Sequence, residues 1–480
     1  MNILLIAPSI RASLSGGLND GMPRNISKSF GFYPHLGICY IAAVLRKNGF
    51  SVRIIDLNAE QFSRRELMEE IRKAGPGLIG ISSMTFTFLQ ALELARQIKA
   101  NFSVPVVLGG NHVSIYPRET AGHGCVDLGV VGEGEETFLE VANLLKDKKI
   151  EDSLPELEKI KGIVFKSAGK TVLTAPRPFL PDLDNLPFPA IDLLKAEKYY
   201  GCNLPVPYMT MITARGCPYD CVFCSKYPWG QGVRYNSAAR VVDEIERLVK
   251  GLGVKAIDFF DDTFIFQKKR VGEMAELIGQ RKLSFEFGIT TRVNTVDREI
   301  LRKLKSMGCR TIAYGVESGD LGVLKKLDKR ITVEQVKNAF KLAEEAGINT
   351  VGFFMVGNPS ETEEGIRNTI RLIRRIGADY FIANVLVPYP GSRLYDNLLE
   401  SGELKEDYWR KLTIEGRAGP TPLANNAVGR DKLIAMRNRI NRMPYLRLKS
   451  NILKFSKVRS LADIKRSFNI LRASFFDRDL

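Results

Sequence analysis

Three cysteines, Cys217, Cys221 and Cys224, fall within eight residues in the segment ARGCPYDCVFCS. Three thiolates at the spacing Cys-x3-Cys-x2-Cys can bind three irons of a cubane cluster and leave the fourth iron without a protein ligand. An open iron is what a catalytic cluster needs, because a substrate must reach the metal. Structural zinc is the competing use, but it takes four ligands in paired spacing, and no fourth Cys or His adjoins the triplet. A secreted disulfide framework would spread its cysteines in pairs. With three of seven clustered, a metal site in a reducing compartment fits better.

The surrounding elements must hold that triplet at an accessible edge. Apolar runs Ile3–Ala7, Val52–Asp56, Leu78–Ser82, Val106–Gly109 and Leu128–Val131 alternate with helical spacing at Leu36–Asn48, Arg65–Lys73, Phe88–Ala100 and Thr137–Lys146. This pattern predicts a doubly wound parallel sheet over residues 1–150. Ligands of such sheets sit beyond the carboxyl ends of the strands, where Ser82, Ser83, Thr85, Gly109, Gly110 and Gly132 fall. Residues 151–200 read as a hairpin around Gly169 and a linker crowded with Pro176, Pro178, Pro181, Pro187 and Pro189. A second alternation over 201–425 predicts strands at Met209–Thr213, Ala256–Phe260, Glu286–Thr290, Thr311–Val316, Thr350–Val356 and Phe381–Val387. Six βα units suit a partial (β/α)6 barrel, with its chemistry at the strand carboxyl ends. The expected fold class is therefore α/β: a Rossmann-like sheet, a partial barrel and a mostly helical basic extension over 426–480. The chain of 480 residues is long enough for two or three domains. No apolar run reaches the ~18 residues of a membrane span, and MNILLIAPSI reads as a strand rather than a signal peptide. A cytoplasmic protein is expected.

The cysteine segment resembles the signature of the radical S-adenosylmethionine (SAM) superfamily, CxxxCxxC with an aromatic residue before the last cysteine. Phe223 fills that place. The resemblance implies that SAM chelates the open iron and that an electron from the 4Fe–4S cluster cleaves it to a 5′-deoxyadenosyl radical. It also implies SAM contacts at later strand ends: Asp261 and Asp262 in FFDDTF, Arg292 in TTRVN, Glu317 and Ser318 in YGVESGD, and Val387 in VPYPGS. The first 150 residues are similar to the cobalamin-binding domain fused to many radical SAM proteins, through YPHLGICYIAAVLRKNGFSV, GISSMTFT, LGGNHVS and VVGEGEETF. That similarity implies corrinoid contacts at Asn58, Ser82, Ser83, Thr85, Gly109, Gly110, His112, Gly132 and Glu133. One departure stands out. Some cobalamin proteins ligate cobalt through the His of a DxHxxG motif, and the corresponding stretch here, Asp56–Gln61, has no His. Many radical SAM relatives lack it too. Related methylthiotransferases carry a second cysteine triplet near the N-terminus, where this chain offers Cys39 and Cys125, so one cluster is expected.

The net charge is +16, and residues 431–480 hold 13 Lys/Arg against 4 Asp/Glu, a net +9. A basic stretch interleaved with Leu and Phe either lies on an anionic membrane or solvates its charges while its apolar face covers the barrel. No nucleic-acid-binding motif accompanies the charge, so nucleic acid is not expected. The resemblance implies a cobalamin-dependent C-methyltransferase acting on a small or lipid-like molecule, with flavodoxin or ferredoxin as reductant. A radical SAM cyclase or rearrangement enzyme is the alternative, and a non-catalytic cobalamin or SAM sensor a third reading.

Overall fold

Apolar runs such as ILLIA, LIGIS and VVLG cannot leave either face in water, and they become the centre of a covered sheet. In the computed structural model, which describes residues 1–10, 31–201, 204–226, 229–230 and 232–443, seven strands form the first sheet. They are β1 (Asn2–Ala7), β2 (Ser51–Asp56), β3 (Leu78–Ser82), β4 (Val106–Gly109), β5 (Leu128–Val130), β6 (Ile163–Ser167) and β7 (Lys170–Leu173). Their order is β2-β1-β3-β4-β5-β6-β7, parallel through β5. The parallel register aligns the carboxyl ends: Ala7 faces Asp56, Ser82 faces Gly109, and Gly109 faces Val130.

Helices Leu36–Lys47 and Gly134–Leu145 cover one face, and Arg64–Ala74 and Phe88–Asn101 the other. Local signals set their ends. Ser63 and Glu66 form a reciprocal capping box, and Gly75 closes the same helix in the left-handed conformation. The hairpin β6–β7 does not begin a separate linker unit. It joins β5 antiparallel and extends the first sheet, so that sheet continues past residue 150.

The second sheet is β8 (Tyr208–Met211), β9 (Ala256–Phe259), β10 (Glu286–Thr291), β11 (Cys309–Glu317), β12 (Asn349–Val356) and β13 (Tyr380–Val385). These six pair in sequence order, all parallel, with β8 and β13 as edges. This is the expected partial barrel. Side-chain caps start its helices: Ser237, Asp297, Thr332, Thr362 and Ser392 each accept a backbone N–H of the first turn. Helix Arg430–Arg442 lies along β13, and the Asn441 amide bonds both the N–H and the C=O of Ala383 (2.7 and 2.9 Å). The start of the basic extension thus covers an open sheet edge. The remainder of that extension, residues 444–480, lies outside the described residues.

Candidate active site between the two sheets

The loop after β8 carries the cysteines. Ala214–Arg215 pairs antiparallel with Arg234–Tyr235, so the loop leaves and returns at one point. Gly216 holds φ +93°, and a Cβ there would run into the Gly232 carbonyl. The chain therefore needs glycine beside Cys217. Within the loop, Cys224 N–H donates to the Cys221 carbonyl at 3.1 Å. Val222 is tied to the barrel on both sides, donating to Leu327 O (3.1 Å) and accepting from Leu394 N (2.8 Å).

The sulfurs have polar company. The Thr263 hydroxyl is 3.5 Å from Cys217 Sγ. Arg292 donates to Cys221 Sγ at 3.3 Å and to the Lys329 carbonyl, with its guanidinium 3.9 Å from the Tyr219 ring centre. Cys224 lies at the exposed side of the loop. The protein around it, together with Asp262, Cys217 and Cys221, pushes its thiol up to about 12. Three thiolates this close repel one another unless a cation lies among them, and iron supplies that cation. Among the described residues no three His, Cys, Asp or Glu side chains converge on one ion. A cubane does not require it, because each cysteine takes its own iron. The donor set fits a cluster held by Cys217, Cys221 and Cys224.

A cavity of about 1310 Å³ joins this loop to the carboxyl edge of the first sheet. Asn58, Ser82, Thr85, Gly109, Gly110, Gly132 and Glu133 line one end. Phe223, Trp229, Ile212, Phe260, Phe353 and Ile382 line the other. Gly110 (φ +110°) brings its backbone so close to Ser83 that a Cβ would sit 2.6 Å from the Ser83 carbonyl oxygen. Gly132 (φ +81°) faces open space, with nothing within 4 Å of an added Cβ. Bare backbone under a cavity larger than the ~300–1,000 Å³ of drug-sized sites fits a large flat group such as a corrinoid. Ser82 Oγ lies 2.7 Å from His35 Nε2, and His35 Nδ1 is buried without a hydrogen-bond partner. Burial lowers the His35 pKa against the opposing charge of Asp56, and so favours the neutral ring.

The chain matches a B12 binding domain over residues 25–142 and the radical SAM superfamily over residues 211–373. It is 35% identical to an uncharacterized methyltransferase of Pyrococcus horikoshii over 383 residues, 79% of this chain and 82% of that protein. The chain belongs to the radical SAM superfamily. It is also 28% identical to the anaerobic magnesium-protoporphyrin IX monomethyl ester cyclase of Rubrivivax gelatinosus, covering 84% of this chain and 71% of that one. Its fold is that of the radical SAM methyltransferase TsrM from Kitasatospora setae, with a TM-score of 0.65 at 20% identity over 83% of this chain and 75% of that one. As a radical SAM enzyme with a B12 binding domain, it uses a 4Fe–4S cluster, SAM and cobalamin.

Within this radical SAM site, several residues expected from the sequence have other tasks. Asp261 is buried and accepts from Thr213 N (2.6 Å), Thr213 Oγ1 and Ala214 N (3.1 Å), so its carboxylate braces the start of the cysteine loop rather than facing an ammonium. Asp262 stays exposed beside Cys224. Glu317, at φ +70°, pairs with buried Lys329 at 2.7 Å. The Ser318 hydroxyl is fully buried against Thr369 (3.2 Å) and accepts from Asp320 N (3.1 Å). Val387 belongs to the core shared with the first domain, while Tyr389 and Pro390 reach the cavity instead.

On the corrinoid side, Asn58 lines the cavity but spends its amide on Ile10 N (2.7 Å) and Asp56 (2.9 Å). Ser83 contributes backbone contacts to Gly109 and His112. His112 does not reach the cavity. It is fully buried, 4.1 Å from the Phe88 ring centre, and donates to Thr413 Oγ1 at 2.8 Å. Burial drives its pKa down to about 3. Sequence reasoning missed His35, whose signal was a lone His immediately before a helix at a strand-end loop. It also missed Arg215, which stands two residues before Cys217 but whose partners Glu133 and Glu135 are distant in sequence, and Lys329, which only the tertiary contacts bring to the site.

Proposed function

We propose that this protein transfers a methyl group to an unactivated carbon of an uncharged, largely apolar small molecule. In this reading the first sheet, with its hairpin β6–β7, holds the corrinoid and residues 201–425 hold the cluster and SAM, linked by the proline-rich segment after β7. The observation that carries it is the shared cavity: the glycine-rich floor and the Phe223 loop open onto one space. The cluster and SAM supply hydrogen abstraction, and the corrinoid supplies the methyl group. The chain's own residues do the rest. Phe260, Phe353 and Ile382 wall the cluster-side end of the space with apolar surface. No Lys or Arg is among the described residues lining it. Its two carboxylates, Glu133 and Glu135, are neutralised by Arg215 and Arg234. A phosphate or carboxylate on the substrate would find no counter-charge there. The exposed Cys224 side of the loop is where an electron donor such as flavodoxin or ferredoxin would approach. A lipid-like substrate would also give the basic residues beyond 443 a use at an anionic surface. No helix of the described residues is long and apolar enough to cross a membrane.

The relative from Rubrivivax gelatinosus supports a second reading, ring closure without methyl transfer. Reconstituted enzyme given methyl-labelled SAM and a neutral lipid extract separates the two. Label in product together with 5′-deoxyadenosine supports methylation, and deoxyadenosine without label supports cyclisation. Cys221→Ala should abolish the brown visible absorbance and SAM cleavage together. Survival of both would sink the cluster assignment.

A further inference from the structure

The contact between the cysteine loop and the first domain is ionic and buried. Arg215 stands two residues before Cys217 and forks across the domain boundary. One guanidinium nitrogen reaches Glu133 at 2.7 Å and another reaches Glu135 at 2.5 Å. All three side chains are only 4–6% exposed. Arg234, opposite Arg215 in the short ladder, donates to both Glu133 oxygens at 2.8 and 2.9 Å. Leu180 N–H adds a 2.8 Å bond to Glu133 from the linker. The Arg215 guanidinium lies over Trp229, 5.0 Å from its ring centre. Glu133 follows Gly132, whose bare backbone faces the cavity, and both glutamates line that cavity.

Burying two carboxylates and two guanidiniums is a poor way to gain stability, because desolvation offsets most of the Coulomb attraction. What the arrangement does supply is direction. A planar fork fixes two carboxylates at set distances and angles. Here it joins the backbone beside the first cluster ligand to the backbone beneath the corrinoid space.

We infer that the Glu133–Arg215–Glu135 bridge is a positioning device that couples the two cofactor sites. Occupation of the cysteine loop orders Arg215, which orders the Gly132–Glu135 turn, so cobalamin binds more tightly to cluster-loaded protein. Reciprocity makes the cluster more stable when cobalamin is present. This rests on the assignment of the cavity floor to the corrinoid.

The test titrates hydroxocobalamin into full-length protein with and without reconstituted cluster, following Trp229 and Trp409 fluorescence. The wild type should bind about fivefold more tightly with the cluster, near the lower end of site-to-site couplings. In Glu135→Gln, which keeps an acceptor for Arg215, and in Arg215→Lys, which keeps the charge without the fork, that ratio should fall below about twofold. Iron content and melting temperature identify folded, loaded protein, and Glu135→Gln is the milder of the two. A contact that serves stability alone would lower the melting temperature and leave the ratio intact, and that result overturns the proposal. A wild-type ratio of one overturns it too. Absence of cobalamin binding in every form would overturn the corrinoid assignment, and the bridge with it.

Discussion

Arg292 puts a positive charge directly against a cluster-ligand sulfur. It is buried, donates to Cys221 Sγ at 3.3 Å, and is braced by Tyr219 and the Lys329 carbonyl. A cation and donor beside a ligand sulfur favours the reduced cluster, which carries the extra negative charge. Arg292→Met keeps the stem and removes both effects. The midpoint potential should fall by roughly 60 mV, the one-electron equivalent of ~1.4 kcal/mol. An EPR-monitored redox titration reads it, and an unchanged or higher potential would contradict the role. At this scale the cysteines were legible because three ligands at fixed spacing leave few other uses. The strand-end carboxylates were not. Asp261 and Glu317 follow apolar strands in the same way whether they turn toward a ligand or back toward Thr213 and Lys329. Only the packed chain decides between them.

Among the elements, helix Tyr408–Glu415 is the clasp between the domains. Its Thr413 hydroxyl donates to Trp409 O (2.6 Å) and accepts from His112 Nε2 (2.8 Å), while the Thr413 carbonyl accepts from His123 Nε2 (2.6 Å). Asp407 at its start accepts from Tyr116 and Tyr395 (2.8 and 2.9 Å). Protonating His112 would place a hydrogen on Nδ1, which is buried between the Phe88 and Tyr116 rings with no acceptor. Its pKa is therefore lowered to about 3 by burial, against about 6.5 when unfolded. The unfolded state then binds the proton first. Stability from neutral His112 is complete above pH ~6.5 and is lost as pH falls toward 3, by up to ~1.4 kcal/mol per unit. His123, also lowered by burial, acts in the same direction. Melting temperature should drop between pH 7 and 5, and His112→Gln should flatten that slope while lowering stability at pH 7. An equal slope in both proteins would exclude His112 as its source. The strands were readable in advance because parallel, doubly covered strands must be continuous apolar runs. Attachment of the hairpin β6–β7 to the first sheet was not, since strand pairing depends on partners distant in sequence. The same holds for His112. Its strand-end position suggested a ligand contact, while its true partner lies 301 residues away.

Across the whole molecule, the two domains share apolar cores rather than meeting at a wet interface. Val387, Tyr395, Trp409 and Leu412 from the chain after β13 pack in one cluster with Leu4, Ile81, Phe88 and Leu92 of the first domain. Helix Leu36–Lys47 works in the other direction, with Leu36, Tyr40 and Val44 in the barrel core and Ile38, Cys39 and Leu45 in the core of the first sheet. These shared cores fix the two domains against each other, as a reaction between groups held on separate domains would require. They also make unfolding cooperative, because neither sheet can open without exposing apolar surface of the other. Trp409 is the largest such side chain, fully buried, stacked on Tyr389, and bonded through Nε1 to the Pro388 carbonyl at 2.9 Å. Trp409→Ala leaves a cavity and an unpaired carbonyl, and should cost about 3–5 kcal/mol. Differential scanning calorimetry of the wild type should show one transition. In the variant, the first sheet loses its clasp while the barrel keeps its own core, so the single peak should split in two. A variant that simply melts earlier in one sharp peak would show that the Leu36–Lys47 helix alone suffices to bind the domains together.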